Sequence, residues 1–431
     1  MRFSLRSVEV FSVVLVALML TAGASGSTVA CAGASGPGDY SSLSAAVAAA
    51  SPSGDTITVS GTCTELVAIQ GLNNLNIIGT PGATLAEPGG DNPQGDVLDI
   101  ANSQNVRIQG LRIQAVAHTP ETAIAVVGVT NSSVTFLDST VEGSTQTDGI
   151  DVFPTSNLTI LGATVVENNP DGVGVYASGS GSAVNVRRGP GPGCPTIRNN
   201  GDGLDADNNA SVTVRQCAVI SGNANNTGVG AFNGGAVDVR LPQSTPGAIQ
   251  IVNNTLGLFA AQGGRVTVRG PVLVQGNSLN GVNVRSNAFA DIGASGAGPL
   301  GPTISQNGGG SFGCCTIAAG VHVGFNSALE LTAATIEGNF VPGVVLNDNS
   351  SARLLAVQSL QINNNQGGVV VQNSSTALLF FGPVLSGNGT DLSCTSDSRA
   401  YGDGSGVGRM NCPSFQAQTS PGLGNKARIT P

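Results

Sequence analysis

The stretch Gly149-Ile150-Asp151-Val152 begins a pattern that decides the fold, in which a small residue is followed by alternating apolar positions. From Gly149 to Gly172 the step is 23 residues, and from Gly343 to Gly368 it is 25. A fixed period in this range indicates a solenoid, and short strands without helical periodicity make it a β-solenoid. The pattern recurs in Gly172-Val173-Gly174-Val175, Gly203-Leu204-Asp205-Ala206, Ala236-Val237-Asp238-Val239, Gly257-Leu258-Phe259-Ala260, Gly281-Val282-Asn283-Val284, Gly320-Val321-His322-Val323, Gly343-Val344-Val345-Leu346 and Gly368-Val369-Val370-Val371.

Each unit predicts one strand of a coil. Because strand side chains alternate between faces, Ile150 and Val152 point inward and Asp151 points outward. Asparagine fits the turns, since it tolerates left-handed backbone and its amides can hydrogen-bond from coil to coil. The asparagines that follow the strands are Asn157, Asn209, Asn287, Asn326, Asn349 and Asn373, and those that lead into them are Asn168, Asn199, Asn253, Asn277, Asn339 and Asn364.

Four segments are predicted along the chain. Residues 1–24 read as a signal peptide, with Arg2 and Arg6 before an apolar stretch at 10–20 and an Ala-x-Ala cleavage site at 22–24. Residues 25–55 form an N-terminal cap with a short Ala-rich helix at 42–50, residues 56–388 form the coils, and residues 389–431 form an aperiodic C-terminal cap and tail. We therefore expect a secreted or cell-surface protein, bacterial in origin, without a transmembrane anchor.

Eight cysteines in a secreted chain indicate disulfides. Proximity along the sequence favours three pairs, although sequence alone does not fix connectivity. The adjacent Cys314 and Cys315 remain, either as free thiols or as a strained vicinal disulfide. The favoured pairs are Cys31–Cys63, Cys194–Cys217 and Cys394–Cys412.

With the coil spacing, the asparagine turns and the capping helix, residues 40–395 resemble a secreted right-handed parallel β-helix protein of the pectin-lyase-like group. The resemblance implies right-handed coiling and a cross-section of three sheets. The predicted fold class is all-β, a single-domain right-handed parallel β-helix with a short N-terminal capping helix. Many members of this group cut or bind polysaccharides, and others are adhesins.

One local match is to a catalytic motif. The hexapeptide Gln146-Thr147-Asp148-Gly149-Ile150-Asp151 resembles the Asn-Thr-Asp-Gly-x-Asp motif of polygalacturonase-type hydrolases. The partners of that motif are incomplete, because Pro170-Asp171 replaces an Asp-Asp pair and Gly201-Asp202-Gly203 has Asp in place of His. The Arg-Ile-Lys of the family is missing too.

Aligning the repeated units places acidic residues in one outward patch on the middle coils. Three interpretations stay open: a solvated face with Asp–Arg pairs, a calcium site, or a catalytic site. Asp151 and Asp205 would lie about 10 Å apart, near the roughly 6.5–9.5 Å of inverting glycosidases. The candidate catalytic residues are Asp151, Asp205, Asp207, Asp238 and Arg240; the candidate calcium ligands are Asp205, Asp207 and Asp238.

Further side chains that are predicted to point outward from the coils are candidates for ligand binding. These residues are Phe153, Tyr176, Asn283, Arg285 and His322. The other histidine, His118, has no Cys or His partner at metal spacing.

Charge limits the partners. With 17 basic and 26 acidic residues, the net charge of −9 argues against nucleic acid, which needs a basic footprint. No tryptophan and a single lysine, Lys426, leave few stacking platforms or general bases. We expect a protein that binds polysaccharide, a surface glycan or another surface without catalysis. The alternative is a polysaccharide lyase or glycoside hydrolase that uses the mid-stack acids. Sequence leaves enzyme activity, calcium use and oligomeric state open.

Overall fold

Three long parallel sheets make up the molecule in a computed structural model, which describes residues 26–89, 95–116, 124–143, 147–242, 248–295, 300–310, 317–357, 359–395 and 397–418. The predicted signal peptide, His118 and the Cys314–Cys315 pair lie outside these residues. The chain passes through the sheets in the repeating order A, B, C, and each strand pairs in parallel with its counterpart one coil away. The predicted right-handed parallel β-helix is confirmed.

Sheet A has 16 strands: Gly26–Ala30, Asp55–Ser60, Leu75–Gly79, Val106–Gln109, Ser133–Leu137, Asn157–Leu161, Ala183–Arg187, Ser211–Arg215, Ala236–Arg240, Arg265–Arg269, Phe289–Gly293, Ala328–Thr332, Ser351–Leu355, Thr376–Phe380, Arg399–Gly402 and Phe415–Ala417. Sheet B has 13 strands: Thr62–Thr64, Thr84–Ala86, Arg112–Gln114, Thr140–Glu142, Val165–Glu167, Thr196–Arg198, Ala218–Ser221, Ile249–Val252, Leu273–Gln275, Thr303–Ser305, Thr335–Glu337, Gln361–Asn363 and Val384–Ser386. Sheet C has 14 strands: Val67–Gln70, Leu98–Ala101, Ile124–Thr130, Thr147–Val152, Val173–Ser178, Asp202–Asp207, Thr227–Ala231, Leu256–Ala261, Asn280–Arg285, Val321–Val323, Val344–Leu346, Val369–Val371, Leu392–Cys394 and Met410–Asn411.

The core is a single apolar column filled by the inward side chains of all three sheets. Residues such as Ile150, Leu204 and Val282 are at most 1% exposed, and they belong to one continuous cluster that runs the length of the stack. One coil cannot bury its apolar face alone, so stability comes from stacking neighbouring coils.

An internal ladder of asparagines lines the turn between sheets B and C. Each side-chain amide donates to the amide oxygen of the next coil, for example Asn277 Nδ2 to Asn307 Oδ1 at 2.9 Å, and the last member donates to Asp391 Oδ1 at 2.8 Å. Its members are Asn169, Asn200, Asn223, Asn254, Asn277, Asn307, Asn339, Asn365 and Asn388.

Of the asparagines predicted after the strands, Asn349 donates its Nδ2 to Asn326 Oδ1 at 2.8 Å, and of those predicted before them, Asn277 and Asn339 are members of the ladder. Asn168, Asn199, Asn253 and Asn364 precede the ladder members and take left-handed backbone, with φ between 55° and 63°. Of the asparagines that follow strands, Asn157 begins a sheet A strand, whereas the others are left-handed as expected.

A helix lies at the N-terminal end of the stack, and paired strands extend to its C-terminal end. The helix Leu43–Ala49 buries Leu43, Ala46 and Val47, and Ser42 caps it by accepting from the Ala45 amide. Strand pairing continues past residue 389, through Arg399–Gly402 to Phe415–Ala417. The three favoured disulfides, Cys31–Cys63, Cys194–Cys217 and Cys394–Cys412, are all present.

Candidate functional site

Three pairs of aspartates lie on the outer face of sheet C, in alternate coils. Each pair has the spacing Asp-x-x-Asp. The coil between two pairs carries small or neutral residues at the paired positions: Gly128 separates Asp99 from Asp151, and Tyr176 separates Asp151 from Asp205. Equivalent residues of alternate coils are therefore about 10 Å apart. The pairs, hereafter the acidic pairs, are Asp96 with Asp99, Asp148 with Asp151, and Asp202 with Asp205.

The first aspartate of each pair binds the backbone of the next coil. Asp148 Oδ1 accepts from the Val173 amide at 2.6 Å, and Asp202 Oδ1 accepts from the Thr227 amide at 2.5 Å. Asp96 Oδ1 accepts from the Ala125 amide at 3.2 Å in the same way. These carboxylates thus replace part of the strand pairing at the entrance of sheet C.

The second aspartate of each pair is poorly solvated. Burial raises the pKa of Asp151 to about 8, with further contributions from the charges of Asp148 and Asp96 and a hydrogen bond with Asp148. One oxygen of Asp151, Oδ1, is buried without a hydrogen-bond partner. Burial, followed by the charge of Asp202, raises the pKa of Asp205 well above its ordinary value. Within the described ranges, no ion pair reaches any acidic pair.

The pKa values of the other aspartates in the acidic pairs are raised as well. Burial raises the pKa of Asp96 to about 6, with the charge of Asp99 as the second cause. Burial also raises the pKa values of Asp99, Asp148 and Asp202 above their ordinary range. The face therefore holds protonated carboxyl groups at a pH where aspartate is normally ionised.

The predicted acidic patch was wrong in its register. Asp238 and Arg240 lie on sheet A, where Asp238 pairs with Thr213 and Thr267, so they cannot join Asp205 on sheet C. The sheet C strand of that coil is Thr227–Ala231, and Gly230 is the neighbour of Asp205. Alignment of the repeated units predicts Ala125 and Gly174 as the outward neighbours of Asp151, but the strand pairing places Gly128 and Tyr176 there.

The predicted calcium ligands do not form a site. Asp238 lies on another sheet, and the Asp207 carboxylate already has four donors. Oδ1 accepts from Asn233 Nδ2 at 2.7 Å and the Asn208 amide at 2.8 Å, and Oδ2 accepts from Tyr176 Oη at 2.8 Å and Asn208 Nδ2 at 3.0 Å. In the described part of the chain, one group of potential metal ligands converges, Cys31, Cys63 and Glu65, and its cysteines form a disulfide.

Of the predicted binding residues, two belong to a buried polar network. His322 is 6% exposed; its Nδ1 lies 3.0 Å from Asn283 Oδ1 and its Nε2 2.8 Å from Asn347 Oδ1. Burial lowers the pKa of His322, so the neutral ring is favoured. Asn347 Nδ2 also donates to Asp348 Oδ2, which fixes the orientation of that amide. His322 and Asn283 therefore support the sheet from within it.

The other three predicted binding residues reach the surface. Phe153 is 39% exposed, Tyr176 is half-buried, and Arg285 is exposed with its guanidinium carbon 4.8 Å from the centre of the Phe259 ring. All three lie at the outer face of sheet C or immediately after its strands.

A pocket of about 440 Å³ opens beside the acidic pairs, and we call it the aromatic pocket. Phe259 forms its base, Phe232 meets that ring edge-on with centroids 5.2 Å apart, and Phe325 stands 51% exposed at its rim. Phe325 has φ of 55°, a left-handed backbone that bulky residues rarely adopt and that often marks a functional position. The remaining lining residues are Asn226, Ala261, Gln262, Arg285 and Ser286.

The pocket adjoins the last acidic pair through Gly230. A Cβ atom at this position would lie 2.4 Å from both Asp205 Oδ1 and Phe232 Cε2, so only glycine lets the carboxyl group and the ring approach each other. Sequence analysis missed Phe232 and Phe325. A usable signal was their shared position just after a sheet C strand, before Asn233 and Asn326.

No curated protein matches the chain. Among solved structures, tailspike protein 3 of bacteriophage CBA120 is similar, with 12% identity over 84% of this chain and 57% of that one, and a TM-score of 0.37. The A-module of an Azotobacter vinelandii mannuronan C-5 epimerase has 11% identity, covers 84% and 87%, and has a TM-score of 0.31. The catalytic domain of a GH87 α-1,3-glucanase has 13% identity, covers 92% and 68%, and has a TM-score of 0.26. The chain thus spans little more than half of the tailspike.

Among the residues that the structure describes, no helix is long and apolar enough to cross a lipid bilayer. Residues 247–405 match the family model described as the right-handed β-helix region. Together with the continuous parallel stacking of sheets A, B and C, this match identifies the protein as a right-handed parallel β-helix protein.

Proposed function

We propose that the protein is secreted and binds a polysaccharide on the outer face of sheet C, with the aromatic pocket as the central contact. The observation that carries the proposal is the composition of this pocket. The exposed Phe325 ring offers a flat apolar surface to a sugar ring, and Asn226, Gln262 and Arg285 offer planar hydrogen-bonding groups to hydroxyls. Three disulfides suit the oxidising compartment that secretion implies.

The geometry of the stack suits a chain-like ligand. Coils repeat about every 4.8 Å, comparable to the length of one sugar unit, so a glycan lying along the stack would meet similar positions repeatedly. Phe153 and Tyr176 lie on the same face, and Tyr176 Oη is held by Asp207. These residues would extend the contact beyond the aromatic pocket.

The test is binding to a panel of neutral and acidic polysaccharides, measured by calorimetry. Phe325→Ala is expected to weaken binding about ten-fold, because it removes an exposed ring at the rim. Phe340→Ala is the matched control: Phe340 is 64% exposed and lies outside the pocket lining. Equal affinity of the two variants, or no binding to any member of the panel, would contradict the proposal.

A second candidate is glycoside hydrolysis at the acidic pairs, favoured by the raised pKa of Asp151. A carboxyl group with a pKa of about 8 is protonated at neutral pH and could donate a proton to a leaving group. Binding without catalysis remains our first proposal, because Asp151 Oδ1 is buried and Asp205 is only 5% exposed. Release of reducing ends without unsaturated sugars, abolished in Asp151→Asn and retained in Phe340→Ala, would favour the hydrolase.

A further inference from the structure

Four arginines stack in one column on the outer face of sheet A, away from the acidic pairs of sheet C. The backbone pairing places Arg187 beside Arg215, Arg215 beside Arg240, and Arg240 beside Arg269. Neighbouring strands lie about 4.8 Å apart, so the column is about 14 Å long. We call it the arginine column.

Like charges directly opposite one another destabilise a sheet, and only part of this repulsion is offset here. Asp238 accepts from Arg240 Nε at 2.6 Å and lies 3.7 Å from Arg215 Nη2, and Asp291 pairs with Arg269. Arg187 forms no ion pair with any described residue. In this part of the sheet the arginines outnumber their carboxylate partners, in a protein whose net charge is −9.

The side chains keep donors available for a ligand. Arg215 and Arg240 are 55% and 50% exposed, and each guanidinium has five N–H donors, of which Asp238 engages only some. Arg265, four positions before Arg269 at the start of the same strand, adds a further cation, held 5.0 Å over the Phe289 ring. A guanidinium can bind carboxylate or sulfate oxygens in a bidentate manner.

We propose that the arginine column binds a linear acidic polysaccharide lying along the stack, separately from the glycan site on sheet C. One cation per coil matches a polymer that presents carboxylate or sulfate groups at a similar repeat. The net charge of −9 argues against such a ligand only if charge is spread evenly, and in the arginine column four arginines share two carboxylate partners, Asp238 and Asp291. The proposal does not depend on the aromatic pocket.

Nucleic acid fits the column less well. In duplex DNA each strand carries one phosphate about every 3.4 Å of helix axis, a shorter axial repeat than that of the coils. Binding of single strands also relies on aromatic platforms for the bases, and the Phe289 ring on this face is covered by Arg265.

The experiment measures binding of the full chain to polygalacturonate and to dextran sulfate at two salt concentrations, with neutral dextran as the reference. Wild type is expected to bind at least one acidic polymer with an affinity that falls as salt rises. Arg187→Gln is expected to lower that affinity about three-fold, and Arg215→Gln with Arg240→Gln about ten-fold or more, with a shallower salt dependence. Arg187→Gln breaks no ion pair among the described residues, so a loss of affinity in this variant does not arise from disruption of the ion pairs on sheet A.

Arg198→Gln is the matched control, because it removes the same charge from sheet B, where Arg198 pairs with Glu167. An equal loss in this control would show a general charge effect and overturn the proposal, as would unchanged binding in the double variant. Tighter column-dependent binding to a single-stranded oligonucleotide than to both acidic polymers would overturn it in favour of nucleic acid. The fold-loss caused by Arg215→Gln with Arg240→Gln should be the same when Phe325→Ala is also present, which separates this test from that of sheet C.

Discussion

The acidic pairs predict a protein that becomes less stable as pH rises above neutrality, and Asp151→Asn tests this directly. The pKa of Asp151 is about 8 in the folded chain against an ordinary value of 3.8. A raised pKa means that the folded state binds the proton more tightly, so the stabilisation is complete below the unfolded pKa and is lost as pH rises through the folded one.

The change in unfolding free energy between pH 6.5 and 9 follows from the part of this pKa shift that lies within that pH interval. From pH 6.5 to a pKa of about 8 is about 1.5 units, worth about 2 kcal/mol of unfolding free energy from Asp151 alone. Burial also raises the pKa of Asp205, so its effect on stability has the same sign. The lowered pKa of His322 does not alter this difference in unfolding free energy. Its effect on stability arises below the ordinary pKa of 6.5, where the histidine of the unfolded chain is protonated.

The assay is urea unfolding at pH 6.5 and 9, followed by circular dichroism, with wild type beside Asp151→Asn. Asp151→Asn keeps the shape of the side chain without its charge. Between pH 6.5 and 9 its unfolding free energy should fall by about 2 kcal/mol less than that of wild type, and at pH 9 the variant should be the more stable protein. Asp171→Asn, at an exposed turn, is the control and should behave as wild type. A wild-type stability that is constant or rises from pH 6.5 to 9 would refute the reasoning.

Two further substitutions test the internal supports of the fold. Asn277→Ala removes an amide that accepts from Asn254 and donates to Asn307, and so leaves buried polar groups unpaired. We expect urea unfolding to show a loss of about 2–5 kcal/mol of unfolding free energy, against less than about 0.5 kcal/mol for Asn185→Ala, whose side chain points outward. Gly230→Ala forces a methyl group against Asp205 and Phe232, so it should cost about 1–3 kcal/mol and weaken glycan binding, whereas Gly191→Ala, with open space around it, should do neither.

The fold was predictable because several features of the sequence repeat with the same period. Small residues, alternating apolar positions and asparagine turns recur together, and only stacked coils can bury such strands. The same regularity explains the error of register. Ala236-Val237-Asp238-Val239 has the pattern of a sheet C strand but belongs to sheet A, because strands of all three sheets alternate in the same way.

Spacing held the information that could have corrected the register. From Gly203 to Ala236 is 33 residues, whereas Gly203 to Gly228 is 25, and Gly228 begins the true sheet C unit of that coil. The candidate site was harder to predict for a physical reason. Outward position suggests solvation, but the side chains of adjacent coils cover Asp205 and much of Asp151, and this lateral burial raises their pKa values. The aromatic pocket combines Phe232, Phe259 and Phe325 from three separate coils, which no local motif reveals.

The asparagine ladder has an electrostatic consequence beyond hydrogen-bond satisfaction. Every amide from Asn169 to Asn388 donates toward the C-terminal end of the stack, so the side-chain dipoles point the same way and add, as peptide dipoles do in an α-helix. The donor end carries the positive partial charge, and there the ladder meets the carboxylate of Asp391. The solenoid thus contains an axial macrodipole made of side chains, with an anion at its positive pole, and polarisation along such a chain strengthens each bond through its neighbours.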